Sequence, residues 1–307
     1  MRYILLYILI MLSTVLVSAQ QVIEAKNWCL SRCDLVGDEK ENAELIYLKL
    51  ANDSIKNYNN SKEILRFPLR IGIVQRDSLD ISLKEIRVRQ AIYRLNQAFK
   101  PVGLLFYIDR VDVILSDLYL EDLSEDLYQP YNDFSDKYRL DSTISLYIFD
   151  HKKDFCRVTP LSISCGRIGG FSYVLSRRTN NVVMSKFDLS DQKIMAHEFG
   201  HFFGLYHTFE ERQFGKDDFD PDNCALVGDR ICDTPPDPGA VFEIYVNYSD
   251  CEMLGFKNDS GQVYKPLIEN YMSYYKPCYM KEYSFTPGQI EVMRTAAHSD
   301  LRKRFSR

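Results

Sequence analysis

Three of the five histidines in the 307-residue chain fall within eleven residues: His197-Glu198-Phe199-Gly200-His201-Phe202-Phe203-Gly204-Leu205-Tyr206-His207. His197 and His201 are four apart, and on a helix that spacing puts both imidazoles on one face, a turn apart. Both can then reach one metal ion. Glu198 follows the first of them and points beside the ion, where a water would sit, as in H-E-x-x-H zinc hydrolase helices. Gly204 can take a positive φ, end the helix and turn the chain sharply. That turn brings His207 back as a third nitrogen ligand. Three protein ligands leave a fourth position open for water, which is what a catalytic zinc needs.

H-E-x-x-H alone arises often by chance. The extended form is far more specific, because a buried structural histidine explains one imidazole but not three at this spacing with Glu198 and Gly204 in place. H-E-x-x-H-x-x-G-x-x-H is the signature of the metzincin metalloproteases. The longer string HEFGHFFGLYHTF, followed by GDRICDTP and then NYMSY, resembles the pappalysin branch of that clan over roughly residues 65 to 300. The resemblance implies an α+β metzincin fold: a mixed twisted sheet with two long helices above an irregular, disulfide-stapled C-terminal subdomain that ends in a helix.

These elements require a scaffold, and the composition allows one. With 46% hydrophobic and 26% charged residues, the chain can bury a sizeable core. A net charge of -5 without a basic run of five or more excludes nucleic acid as the natural partner. Residues 1–19 read as a secretory signal: Arg2, an apolar run from Tyr3 to Val17, and the small-x-small site Val17-Ser18-Ala19. The run is shorter than the ~20 residues of a membrane-spanning helix, so cleavage is expected rather than anchoring. All eight cysteines follow the signal, and none forms a C-x-x-C pair. An even number in an exported chain suggests disulfides rather than a cysteine zinc site. The expected product is secreted (extracellular or periplasmic), free of the membrane after signal cleavage, and monomeric.

Residues 20–62 read as a polar pro-segment and linker with a short helix near Glu39–Leu50. Residues 63–305 read as the catalytic domain, with an upper part to about 207 and a lower part from 208. Pappalysin-like zymogens often carry a short Arg-Cys-Gly type motif whose thiolate caps the zinc. Cys33 in Ser31-Arg32-Cys33-Asp34 resembles that cysteine, with Asp34 in place of the glycine. A thiolate is a strong zinc ligand and would displace the water; the alternative is a disulfide of Cys29 or Cys33.

Phe67–Val74 predicts a first strand. Ser82 is expected to cap an amphipathic helix carrying Ile86, Ile92, Leu95 and Phe99, which stops at Pro101-Val102-Gly103. Leu104–Ile108 and Val111–Leu115 form a second extended region, and an acidic, tyrosine-containing stretch over 117–138 forms a surface connection. Ile144–Phe149 and Asn181–Met184 are further strands. Cys156 and Cys165 bracket a short loop and could pair. Arg167–Tyr173, with Gly169-Gly170, lies where the resemblance places the cleft-rim edge strand; an ordinary hairpin turn is the alternative. An edge offers unpaired backbone groups to a peptide, and glycine lets a second backbone approach. Asp188 or Ser190 is expected to cap the helix bearing the histidines, with Ile194, Phe199, Phe202 and Phe203 facing the core.

Residues 208–270 are rich in Asp, Pro, Gly and Asn with little periodicity, and such a stretch is usually functional or stapled. Cys224, Cys232, Cys251 and Cys278 allow three pairings; the resemblance suggests Cys224–Cys251 and Cys232–Cys278. It also implies a structural calcium at Asp229, Asp233 and Thr234, where hard oxygen ligands stand on a loop; a capped Asp-rich turn is the alternative. Asn270-Tyr271-Met272-Ser273-Tyr274 matches the metzincin Met-turn. Met272 would pack beneath the zinc ligands, and Tyr274 would donate to an oxyanion. Many pappalysin relatives have acidic residues just after that tyrosine, tied to basic primed-side residues. Here Tyr275-Lys276-Pro277-Cys278 supplies none. Thr286, Pro287 and Gln289 announce a final helix to about Arg304.

Together these features point to a zinc endopeptidase acting on protein or peptide, with Glu198 as general base and acid and Tyr274 as oxyanion donor. A catalytically idle binding module on the same fold is the rival from another class, although such modules usually lose the glutamate or a ligand. An astacin- or adamalysin-like protease would usually carry Glu or Asp after the third histidine, where this chain has Thr208.

Overall fold

The computed structural model describes residues 63–77, 83–120, 128–150, 155–159, 162–166, 168–175, 180–210, 224–225, 228–239, 244–258, 261–276, 278 and 281–307. The signal, pro-segment and Cys33 readings, and the expected helix near 39–50, lie outside these residues.

A five-stranded sheet with strand order β2-β1-β3-β7-β6 carries the fold. β1 (Leu65–Gln75) pairs parallel with β2 (Leu104–Leu115) and with β3 (Ile144–Phe149). β7 (Asn181–Ser185) extends the parallel set, and β6 (Gly170–Phe171) closes the edge antiparallel. β3 and β7 are buried throughout, as expected of parallel strands covered on both faces. Pro68 fits within β1 because β3 pairs only from Leu69 onward, leaving one side of the strand without a ladder there. The two extended stretches expected around 104–115 are one strand, whose pairing with β1 skips Asp109: Ile108 stands opposite Leu69 and Arg110 opposite Arg70.

α1 (Glu85–Phe99) packs on the sheet through Val88, Ala91, Ile92, Leu95, Ala98 and Phe99. Ile86, expected to face inward, is 57% exposed. It lies seven residues before Tyr93, which is also exposed, so the two share the outer face of the helix. The cap is Lys84 rather than Ser82, and it makes no side-chain cap bond. The acidic connection contains α2 (Tyr128–Tyr138). β4 (Phe155–Thr159) and β5 (Ser162–Gly166) form a hairpin in which Cys156 stands opposite Cys165.

α3 (Gln192–Phe202) is the histidine helix. Asp191 caps it, accepting from the backbone of Lys193 and Ile194, so the helix begins a few residues later than the Asp188 or Ser190 expected. Its core face joins an aromatic cluster: Phe199 meets Phe106 at 4.9 Å and Phe99 at 6.3 Å, while Phe203 meets Phe67 at 5.3 Å. Edge-to-face contacts of this kind fix the helix against β1, β2 and α1.

The second half is mostly irregular, with only the short pair β8 (Val246–Asn247) and β9 (Glu252–Met253). Two disulfides staple it, Cys224–Cys232 and Cys251–Cys278. This corrects the expected Cys224–Cys251 and Cys232–Cys278 pairs. Cys224 and Cys232 are eight residues apart, and Cys232 follows the tight turn at Gly228–Arg230, where two successive positive-φ positions bracket Asp229. Cys251, itself at φ 63°, is turned toward the stretch after the Met-turn.

α4 (Pro287–His298) opens with the expected capping box of Thr286 and Gln289. It stops at Ser299, whose extended backbone separates it from α5 (Asp300–Lys303), so the single helix expected to Arg304 is two. The fully buried Arg302 donates through Nε to the Phe202 carbonyl at 2.8 Å and lies 3.9 Å over the Phe202 ring. A cation there satisfies a helix-end carbonyl and suits the negative pole of α3. The backbone N–H of Arg307 donates to Arg66 in β1 at 2.9 Å. No described helix is long and apolar enough to cross a membrane.

Candidate metal centre

His197 and His201 lie one turn apart on α3, both buried. Gly204 sits at φ 102°, and the amide of Leu205 reaches back to the Gly200 carbonyl at 2.9 Å. This sharp exit returns the chain toward the two rings, so the ligand atoms of His197, His201 and His207 all lie within 4.8 Å of one another. It is the one group among the described residues able to hold a metal ion through three or more His, Cys, Asp or Glu side chains.

The surroundings settle which nitrogens face inward. His197 Nδ1 stands 2.8 Å from the Tyr271 carbonyl and His201 Nδ1 stands 2.7 Å from the Leu205 carbonyl. A carbonyl can only accept, so the proton of each neutral ring belongs on Nδ1. The two Nε2 atoms then present lone pairs to each other at 3.0 Å. Two acceptors cannot bond one another, and a shared cation suits both. A tetrahedral zinc with Zn–N bonds of ~2.05 Å separates ligand nitrogens by about 3.3 Å, so small movements would seat it. Burial, then the charges of the neighbouring imidazoles, pushes His197 and His201 well below the ordinary histidine range. Both rings are therefore neutral at neutral pH, the state a metal ligand needs.

His207 is oriented by Glu210, whose carboxylate accepts from Nδ1 at 3.1 Å. Phe209 stacks on the His207 ring at 4.7 Å. The Tyr274 hydroxyl lies 2.9 Å from His207 Nε2, and the Tyr274 ring packs on Phe209 at 4.6 Å. Met272 lies directly under the histidine helix: a Cβ on Gly200 would come 2.6 Å from its sulfur. Its turn is held by the Asn270 side chain, which accepts from the Met272 amide at 2.8 Å.

Glu198 is fully buried beside β6. A Cβ on Gly170 would lie 3.1 Å from Glu198 Cγ and 2.7 Å from the Val183 carbonyl. The glycine expected to admit a second backbone at the rim is thus required by contacts inside the fold: the Met184 sulfur and the Val183 carbonyl at 2.7 Å leave no room for a Cβ, and Glu198 stands close behind them. Of the expected rim stretch, Gly170–Phe171 forms the sheet edge. Arg167 lies outside the described residues.

The three expected calcium ligands divide. Asp229 Oδ1 accepts from Thr234 Oγ1 at 2.7 Å and from the Ile231 amide at 3.1 Å, which brings two of them together. The Asp233 carboxylate is turned to the start of α4, accepting from Thr286 Oγ1 and the Gly288 amide, each at 2.7 Å. That is a favourable place for a carboxylate, at the positive end of a helix.

With this arrangement in view, the comparisons place it. The family model for pregnancy-associated plasma protein-A peptidases matches residues 176–298, which include all three histidines, Glu198, Met272 and Tyr274. Over this segment the chain is similar to that family. Extracellular metalloproteases of two fungi are similar to it. That of Arthroderma gypseum is 34% identical over 106 residues, covering 34% of this chain and 29% of the relative. That of Arthroderma otae is 30% identical over 122 residues, covering 34% of this chain and 38% of the relative. The chain thus spans about a third of the length of these curated relatives. Among solved structures, a mutant of Tannerella forsythia promirolysin superposes with a TM-score of 0.57 at 14% identity, over 86% of this chain and 92% of that one. This likeness bears out the α+β metzincin fold expected from the sequence.

Four residues of the site, Glu210, Thr208, Tyr275 and Asp237, have roles that the sequence did not reveal. Glu210 stands three residues after His207, a spacing that a search for a carboxylate behind the third ligand would have found. The roles of Thr208 and Tyr275 were hidden because their shared partner, Asp237, lies in an irregular stretch with no periodic signal.

Proposed function

We propose that the chain is a secreted zinc-dependent endopeptidase whose catalytic unit spans about residues 63–305. The observation that carries this is the buried cluster of three imidazoles with Glu198 and Tyr274 beside it. His197, His201 and His207 would hold the zinc through ring nitrogens. When bound, the metal supplies a Lewis acid and lowers the pKa of water at the site. Glu198 would take the proton of the attacking water and later pass it to the leaving amine. Tyr274 would donate its hydroxyl proton to the oxyanion of the tetrahedral intermediate. The edge formed by Gly170–Phe171 offers backbone groups against which an extended substrate could lie.

The extracellular names of the fungal relatives support secretion, as does the leader-like start of the chain. Substrate preference is expected to differ from relatives that favour basic primed-side residues. No carboxylate stands in Tyr275-Lys276-Pro277-Cys278 directly after Tyr274, and the Lys193 ammonium, one turn before His197, is bonded to the Tyr275 carbonyl. A structural calcium at Asp229, Asp233 and Thr234 belongs to the same proposal, with the closeness of Asp229 and Thr234 in its favour. Autoinhibition by Cys33 completes it, and a Cys33→Ala precursor active without processing would support that part.

Replacing Glu198 by Ala tests the core of the proposal. The variant is expected to retain about one zinc per chain and lose casein cleavage by a factor of about 10²–10⁴. Unchanged cleavage would refute it.

A further inference from the structure

Asp237 is a fully buried carboxylate about thirty residues beyond the histidine motif, and it ties together both flanks of the metal centre. Its Oδ2 accepts from Thr208 Oγ1 at 2.5 Å, and its Oδ1 accepts from the Tyr275 hydroxyl at 2.7 Å and the Gly239 amide at 2.8 Å. Thr208 immediately follows His207, and Tyr275 immediately follows Tyr274. The Thr208 amide also donates to the Met272 carbonyl at 3.2 Å. Gly239, at φ 88°, lies against Phe209, the ring that stacks on His207 and meets Tyr274 edge-on.

From this convergence, and resting on the peptidase function proposed above, we infer that Asp237 is a positioning residue that sets the His207–Tyr274 pair. One carboxylate holds the residue after the third imidazole and the residue after the oxyanion donor, so it fixes the separation of the two working side chains. Charge-assisted hydrogen bonds to a buried carboxylate are short and directional, which suits that task. Burial, and then Asp237 itself, pushes the Tyr275 hydroxyl above the ordinary tyrosine range, so it stays a donor throughout the working pH. A carboxylate left in a dry interior without these donors would be costly. The three bonds therefore stand or fall together.

Two hydroxyl deletions test this in the full-length protein: Thr208→Val and Tyr275→Phe. Both keep side-chain shape. Each is expected to lower kcat on the order of tenfold with KM little changed, and to speed zinc loss to a chelator on the order of tenfold, the lower end for groups that orient metal ligands. Because Tyr275 acts through Tyr274, adding Tyr275→Phe to a Tyr274→Phe variant should cost less than about a further twofold in kcat. A merely structural role would give losses that multiply in that background. Multiplying losses, or wild-type kcat and wild-type zinc release in both variants, would overturn the inference. Zinc release is read without turnover: an inactive but zinc-loaded wild type would sink the peptidase proposal, while the release rates would still decide whether Asp237 positions the third imidazole. Asp237→Asn should show the same pattern more strongly, since its NH2 must face either the Thr208 donor or the Tyr275 and Gly239 donors. Should it fail to fold, the two hydroxyl variants carry the test.

Discussion

The phenol oxygen of Tyr274 lies 2.9 Å from Nε2 of His207, the ring nitrogen opposite the one that Glu210 holds. With Nδ1 donating to the carboxylate, Nε2 is the acceptor and the tyrosine hydroxyl is the donor. A metal held at that nitrogen would occupy its lone pair, and the hydroxyl proton of Tyr274 would then be free for a substrate oxygen.

Tyr274→Phe is therefore expected to retain the metal and KM while kcat falls by about 10²–10³, the cost of removing one oxyanion donor. Steady-state kinetics with a quenched peptide, alongside zinc analysis, measure it. A fall in zinc content equal to the fall in kcat would make the tyrosine a metal-retaining group instead.

Gly170→Ala should harm activity more than stability. The added methyl meets the Val183 carbonyl, which cannot swing away, and the stem of Glu198, which can. Overpacking of this kind costs about 1–3 kcal/mol, visible in urea denaturation. Displacement of Glu198, the proposed general base, should add a kcat loss of at least tenfold. A variant of normal kcat would show that the glutamate has room to spare.

The metal-free protein should lose stability as pH falls below about 6.5, the ordinary histidine value. His197 and His201 are held well below it, so over that window the unfolded chain binds protons that the folded chain refuses. Stability then rises with pH, by up to about 1.4 kcal/mol per pH unit for each ring, and this contribution is complete above the unfolded value. Chelator-treated protein unfolded in urea between pH 5 and 7.5 reports it. Equal stability at pH 5.5 and 7.5 would contradict the depressed values.

The disulfide pairing predicts unequal losses. By loop length, Cys251–Cys278 with a separation of 27 should contribute about 3.5 kcal/mol, against about 2.5 kcal/mol for Cys224–Cys232 with a separation of 8. Paired serine variants compared by thermal denaturation measure the difference. Peptide mapping that recovered a Cys224–Cys251 link would reverse the assignment.

The metal centre was the most legible part of the chain because its geometry is local. Four residues separate His197 from His201, and Gly204 alone supplies the exit that returns His207. The strands at 144–149 and 181–185 were legible as short apolar runs, and Thr286-Pro287-Gly288-Gln289 as a capping box. What failed was non-local. Ile86 fits the apolar helical pattern, yet Val88 takes the core because the sheet meets α1 on that side. The use of the Asp233 carboxylate at the start of α4 was not legible either, because Thr286 and Gly288 lie more than fifty residues away. The cysteine partners and Asp237 depend on how an aperiodic stretch crosses itself, and no spacing rule encodes that.

Arg302 and Arg307 bind the closing residues of the chain to the back of the histidine helix and to the opening strand. For the proposed peptidase, which would meet other copies of itself, this has a use. A nick in the aperiodic stretch between leaves two fragments still gripped at their far ends, so self-digestion there need not release either one.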